Sequence, residues 1–345
     1  MAGTVAEALT GCRDSEEPAK RLDRSLPPSA SFGDTAAMSQ PHHRAIAHVT
    51  TFAVGEPVDP LWRVTLHFHP DRLVAGVPIL RLMARDGIYR SQFETGTSNG
   101  GLTAHPGGDR WRWESRIFGG AYDAAPAADR PKYGSLNFRR RLVGGSPRFG
   151  SAHLRLGPHT LARTTFCYPD SVFEPEHFGV AARLSTLVAM AQADDKDALD
   201  DYIEAQVHGI VDLTRDVEAL VLDPCYRGTP IETAAEALAC PVEWHGGFTL
   251  TTAELRRHPG YRGPEFVDLG VSIARDGLLD PRIIGDASRA GGHDEQALKR
   301  VWHYVARFGS PEMLSPSDPA GTSPASGTPS RTLPSPPGHP AAERG

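Results

Sequence analysis

The chain has 345 residues, 39% of them hydrophobic and 23% charged, a composition that supports a globular fold with a sizeable core. A formal net charge of −6 gives no electrostatic footprint for nucleic acid or an anionic membrane surface. The four cysteines, Cys12, Cys167, Cys225 and Cys240, form no CxxC pair, which argues against a zinc ribbon or a redox dithiol, and no apolar run reaches the roughly 18 residues of a membrane span.

The chain start has neither the basic residues nor the apolar stretch of a signal peptide, so a cytoplasmic location is expected. Residues 1–40 mix small, charged and proline residues without periodicity and are expected to be disordered, with Met38 an alternative initiator. Residues 62–68 alternate and are stopped by Pro70, which predicts a strand. Residues 74–85 carry Val77, Leu80 and Ala84 on one helical stripe and end at Gly87. A second strand is predicted over 88–93, then a strand pair, 150–156 and 161–168, joined by Gly157-Pro158. Helix follows over 186–192 and 197–201, then short strands at 205–207 and 217–222. Helices at 230–239 and 295–307 close the ordered chain, the latter with Leu298, Val301, Trp302 and Val305 on one face. From Ser310 onward Pro, Ser, Gly and Ala dominate, predicting a flexible tail over 310–345. A strand, a helix and then many short strands is an α+β pattern rather than regular βαβ alternation.

Polar groups crowd the predicted strands. His67 and His69 share one side of the first strand end, where Asp71 could orient either ring. Such a pair can supply two zinc ligands, can hydrogen-bond a ligand, or can simply face solvent. Thr95-Gly96-Thr97-Ser98-Asn99-Gly100-Gly101 can expose several backbone N–H groups as an anion nest, or be a plain turn; it matches neither the Walker nor the dinucleotide fingerprint. Glu204, Gln206 and His208 alternate with Ile203, Ala205 and Val207, either as a wet sheet edge or as a catalytic carboxylate with two polar helpers. Glu94 and Glu114 are a further acid–base candidate pair of unfixed separation, and Trp111-Arg112-Trp113-Glu114 reads as a packed rim. No Gly-x-Ser-x-Gly elbow or His-Glu-x-x-His helix is present.

Together, Leu66-His67-Phe68-His69-Pro70-Asp71, the block from 89 to 101, the block from 130 to 137, Pro147-Arg148-Phe149-Gly150-Ser151 and the block from 204 to 209 closely resemble the bacterial family called domain of unknown function 3626. The resemblance implies a single family domain over 41–309, with a core over about 62–225 and a C-terminal helical extension over about 226–309. More distantly, the order of a His-bearing strand, a helix ending in glycine, the strand Ile88-Tyr89-Arg90-Ser91 and a late strand opened by a glutamate resembles the ADP-ribosyltransferase-like superfamily. Residues 204–208 followed by 217–222 resemble the paired strands around that glutamate in its DNA-modifying toxin branch.

The second resemblance implies a split, mostly antiparallel β structure with flanking helices, and NAD as substrate without a metal. It implies a catalytic set of Glu204, Gln206 and His208, and an NAD-binding set of His67, His69, Tyr89, Ser91, Thr97, Ser98, Asn99, Tyr133 and Asn137. The chain departs from that pattern in having His-x-His and only a partial Ser/Thr echo at Thr97-Ser98. The expected activity is transfer or hydrolysis of ADP-ribose, the expected partner a small nucleotide with an unspecified acceptor. A zinc hydrolase using His67 and His69, and a non-catalytic nucleotide-binding or interaction module, are the competing expectations.

Overall fold

The computed structural model describes residues 40–96 and 102–314. Its centre is an eight-stranded sheet formed by β1 (Val64–Phe68), β2 (Lys132–Leu136), β3 (Ala152–Leu156), β4 (Thr164–Tyr168), β5 (His177–Val180), β6 (Ile203–Val207), β7 (Val217–Leu222) and β8 (Val242–Trp244). The spatial order is β8-β7-β3-β1-β2-β6-β4-β5, antiparallel throughout except for the parallel β7–β8 edge. The fold is a mixed α+β architecture. Because β8 comes from residues beyond 225, the main sheet runs on into the segment expected to be a purely helical extension.

Strand alternation sorts the residues into two unlike faces. Leu66, Phe68, Leu136, Leu154, Phe166, Ile203, Ala205, Val207 and Leu220 share one apolar core. Helices α2 (Ile79–Asp86), α5 (Ser185–Ala193) and α6 (Pro230–Glu236) bury their apolar residues in it. The other face carries Thr65, His67, Ser135, His153, Thr165, Cys167, Glu204 and Gln206, all buried. Toward β4 it is covered by α1 (Pro41–Thr50) and α4 (Asp109–Ile117), whose Ala45 and Trp113 pack in one cluster with Cys167. Over β1 it is covered by the segment 143–149, itself seated on the C-terminal helices. Those helices are α7 (Thr252–Leu255), α8 (Pro264–Ile273), α9 (Pro281–Ala290) and α10 (Glu295–Phe308), with α3 (Gln92–Thr95) lying apart near β2. Fully buried Trp302 of α10 donates its indole N–H to the Pro147 carbonyl at 3.1 Å.

Several expected elements differ, each for a local reason. The helix expected from 74 begins at Ile79, because Ala75 and Gly76 take positive φ and fold Leu73–Val74 back onto Val77–Pro78. The strand expected over 88–93 ends at Tyr89, since Ser91 and Glu94 form a capping box that starts α3. Residues 197–201 form a turn rather than a helix. The expected β3–β4 pair does not form: the 3-10 segment Pro158–Arg163 carries the chain across the sheet, leaving three strands between them. Likewise β6 and β7, expected as neighbours, are separated by β2, β1 and β3.

The tail was expected from 310, but Met313 is fully buried and Glu312 accepts from the Leu142 N–H at 2.6 Å; residues 1–39 and 315–345, also expected to be disordered or flexible, lie outside the described residues. Among the described residues no helix is long and apolar enough to cross a membrane, and Cys167, Cys225 and Cys240 are free thiols.

Candidate functional site

The two central strands share only a short ladder. β1 pairs with β2 at Val64–Leu136 and Thr65–Ser135, whereas β1 continues along β3 to Phe68 and β2 continues along β6 to Lys132. At this seam lies a cavity of about 100 Å³. His67 and Phe68 line it from β1, Tyr133 and Gly134 from β2, Glu204 from β6, and Tyr89 from the strand end after α2. Arg110 of α4 and Ser171 complete the wall around the carboxylate.

Glu204 is almost fully buried and well supplied with donors. Its Oε2 accepts from the Ser171 hydroxyl at 2.8 Å and the Ser171 N–H at 3.2 Å; its Oε1 accepts from Gln206 Nε2 at 3.0 Å. Burial pushes its pKa above the ordinary glutamate value, while the Arg110 guanidinium, 3.8 Å away, pulls it back. Arg110 also lies 3.9 Å over the Tyr133 ring. The Tyr133 hydroxyl donates to Glu114 Oε1 at 2.9 Å, and Glu114 Oε2 pairs with Arg130 at 2.5 Å. Two buried Arg–carboxylate pairs thus flank one tyrosine. Burial raises the Glu114 pKa to about 7 against the pull of Arg130.

Proton counting orients the groups behind Glu204. Gln206 gives an N–H to the carboxylate, so its Oε1 is the acceptor for the Thr165 hydroxyl at 2.9 Å. Thr165 has then used its only proton, so His208 Nε2, also 2.9 Å from Thr165 Oγ1, must be the N–H donor. His208 is neutral, its pKa lowered to about 3 by burial, which leaves Nδ1 to accept from the Tyr122 hydroxyl at 2.7 Å. Gln206 and His208 therefore sit on the strand face of Glu204 as expected, but they do not line the cavity. Gln206 lies on β6 and His208 just past its end beside Tyr122, and their hydrogen bonds lead back to the glutamate.

His67 is held by backbone on both nitrogens: Nδ1 donates to the Gly150 carbonyl at 3.1 Å and Nε2 accepts from the Ser146 N–H at 3.3 Å. Burial depresses its pKa to about 3. Gly144, at φ +87, lies so close that a Cβ there would stand 2.4 Å from His67 Nε2. His69 lines a different cavity, edge-on to Trp302 at 5.0 Å. Asp71 orients neither histidine; it pairs with Arg289 of α9 at 2.8 Å.

Other expected ligand groups are engaged structurally. Ser91 caps α3 and donates to the Ala127 carbonyl at 2.7 Å, and Glu94 completes that cap. Asn137 bridges the loop to Arg141, accepting its N–H at 3.0 Å and donating to its carbonyl at 2.8 Å. Neither Ser91 nor Asn137 lines the cavity. Thr97, Ser98 and Asn99 lie outside the described residues. Among the described residues no group of three or more His, Cys, Asp or Glu is placed to hold a metal ion.

Arg110 and Ser171 were not anticipated, and Glu114, expected as a candidate acid–base partner of Glu94, instead meets Tyr133 and Arg130 while Glu94 caps α3. Their signal was partly present: Arg110, Trp113, Glu114 and Ile117 are spaced as one helical face, so a cation and a carboxylate had to be buried with a tryptophan. No curated protein matches the chain. The family described as protein of unknown function (DUF3626) matches residues 63–193 and 180–308, most of the chain and all the strands that build this cavity, and the chain belongs to that family.

Proposed function

We propose that the cleft binds the nicotinamide–ribose end of NAD and that the protein is an ADP-ribosyltransferase-like enzyme, transferring ADP-ribose to an acceptor or to water. The observation that carries this reading is the meeting of His67, Tyr89, Tyr133 and Glu204 on one cavity at the seam between two central strands. A space of about 100 Å³ suits a single aromatic ring rather than a whole dinucleotide. The nicotinamide enters, and the ribose stays against Glu204.

In the step proposed, the bond from ribose C1′ to the nicotinamide nitrogen breaks, with its electron pair going to the ring, which leaves as neutral nicotinamide. Positive charge develops on the ribose, and the Glu204 carboxylate, accepting the 2′-hydroxyl hydrogen, faces it. Water or an acceptor nucleophile then bonds to C1′ and loses a proton. Arg110 repels the developing cation, but it also favours the ionised form of Glu204 against the burial that raises its pKa. The zinc-hydrolase reading has less support, since His67 and His69 line separate cavities and both His67 nitrogens are bonded to backbone.

The test is nicotinamide release from NAD by the purified full chain, compared with Glu204→Gln. Turnover that falls by roughly 10² in the variant is the expected result. Wild-type protein that neither binds nor consumes NAD ends this reading.

A further inference from the structure

Three buried polar atoms belonging to residues on the wall of the cleft have no hydrogen-bond partner among the described residues: Arg90 Nε, Gln92 Oε1 and Arg110 Nε. Folded proteins pair the large majority of such atoms, because an orphaned one gives up its bond to water and gains none. Their gathering around one cavity of about 100 Å³ is what a ligand that supplies the missing partners would explain.

The groups next to these atoms are already committed. Arg90 Nη2 pairs with Asp86 at 2.8 Å. Ser91, between Arg90 and Gln92, is fixed by its capping box with Glu94 and by its hydroxyl on the Ala127 carbonyl. Arg110 Nη1 donates to the Ser171 hydroxyl at 2.8 Å, and its guanidinium lies over the Tyr133 ring. The two arginines and the turn that carries Gln92 are thus held in place before any ligand arrives, which lowers the ordering cost of binding.

The donor pattern narrows the ligand. Each arginine Nε offers an N–H, and Gln92 Oε1 can only accept. Arg110 stands 3.8 Å from Glu204, so its N–H serves the part of the ligand that meets the glutamate. Arg90 and Gln92 offer one donor and one acceptor, the complement of a primary carboxamide, whose carbonyl accepts and whose N–H donates. A carboxylate meets Arg90 equally well but sets a lone pair against Gln92 Oε1. Phe68, Leu82, Met83 and Ile88 line the same cavity and suit the faces of an aromatic ring.

We propose that Arg90 and Gln92 form a carboxamide-reading pair, which admits a ring bearing an amide and rejects the same ring bearing an acid. That this ring is the nicotinamide of NAD rests on the function proposed above; the preference for amide over acid does not.

The experiment measures binding of nicotinamide and of nicotinate to the full chain by calorimetry, for the wild type, Gln92→Met and Arg90→Met, with melting curves to establish that each is folded. The wild type should bind the amide about ten-fold or more tightly than the acid. Gln92→Met keeps the length of the side chain without its acceptor, so amide binding should weaken about ten-fold while acid binding holds or improves. Arg90→Met should weaken both ligands.

Wild-type protein that binds the acid as well as the amide, or binds neither, overturns the pair. So does a Gln92→Met chain that keeps the wild-type preference. The preference as described, with no consumption of NAD, leaves the pair standing and removes the transferase reading. NAD consumption by a wild-type chain that shows no preference between the two rings leaves the transferase reading standing and removes the pair.

Discussion

Arg110 and Glu204 are joined through a serine: Arg110 Nη1 donates to Ser171 Oγ at 2.8 Å, and that hydroxyl donates to Glu204 Oε2 at 2.8 Å, while the two charged groups themselves stand 3.8 Å apart. Both oxygens of the carboxylate meet only donors. Glu204→Gln keeps the shape but turns one acceptor into an NH₂ group, so either Ser171 or Gln206 loses its partner. Beyond the roughly 10²-fold fall in turnover, the variant should lose about 1–3 kcal/mol of stability, read by chemical denaturation. A stable variant with undiminished nicotinamide release would remove Glu204 from the mechanism.

The tautomer of His208 can be tested one bond further back. Tyr122→Phe leaves His208 Nδ1 buried without its donor, so stability should drop by about 1–3 kcal/mol although a single oxygen is removed. Thr165→Val, which breaks the next two links, should cost at least as much. Unchanged unfolding curves for both variants would contradict the proton assignment.

Glu114 should give the protein a characteristic pH response. Its folded pKa is raised from 4.5 to about 7 by burial, so its contribution to stability is full below about pH 4.5 and is lost as pH rises through about 7. Glu114→Gln cannot titrate. Between pH 5 and pH 8 the wild type should therefore lose stability relative to the variant, by on the order of 1 kcal/mol or more. A wild-type-minus-variant difference that does not change with pH would refute the raised pKa.

Truncation should discriminate two nearby positions. A chain ending at residue 314 keeps Met313 in the helical core and Glu312 on the Leu142 N–H, whereas one ending at 309 loses both. The shorter chain should be less stable by about 2–5 kcal/mol, the range for emptying a buried methionine site. Equal melting temperatures for the two would show that this short segment contributes nothing.

Much of the site could be read from residue order because strand alternation is local. His67 and Glu204 stand out as polar side chains between apolar neighbours, and a polar residue on a strand must face something. What could not be read is non-local. Nothing between residues 157 and 163 says that the chain crosses three strands before pairing again, since a Gly-Pro turn and a 3-10 bridge begin alike. Ser91 and Asn137 looked like ligand groups because a hydroxyl or amide that caps a helix or closes a loop has the same identity as one that binds a substrate. The capping box at Ser91 and Glu94 was legible, and it outranked the strand pattern around it.

The run from Tyr122 through His208, Thr165 and Gln206 to Glu204 has one further property: every hydrogen in it points the same way, toward the carboxylate. Four aligned bond dipoles therefore present their positive end to Glu204, and each polarises the next. A neutral phenol at the far end of the sheet face thereby favours the ionised carboxylate without bringing a second cation near the site where the ribose would carry its charge.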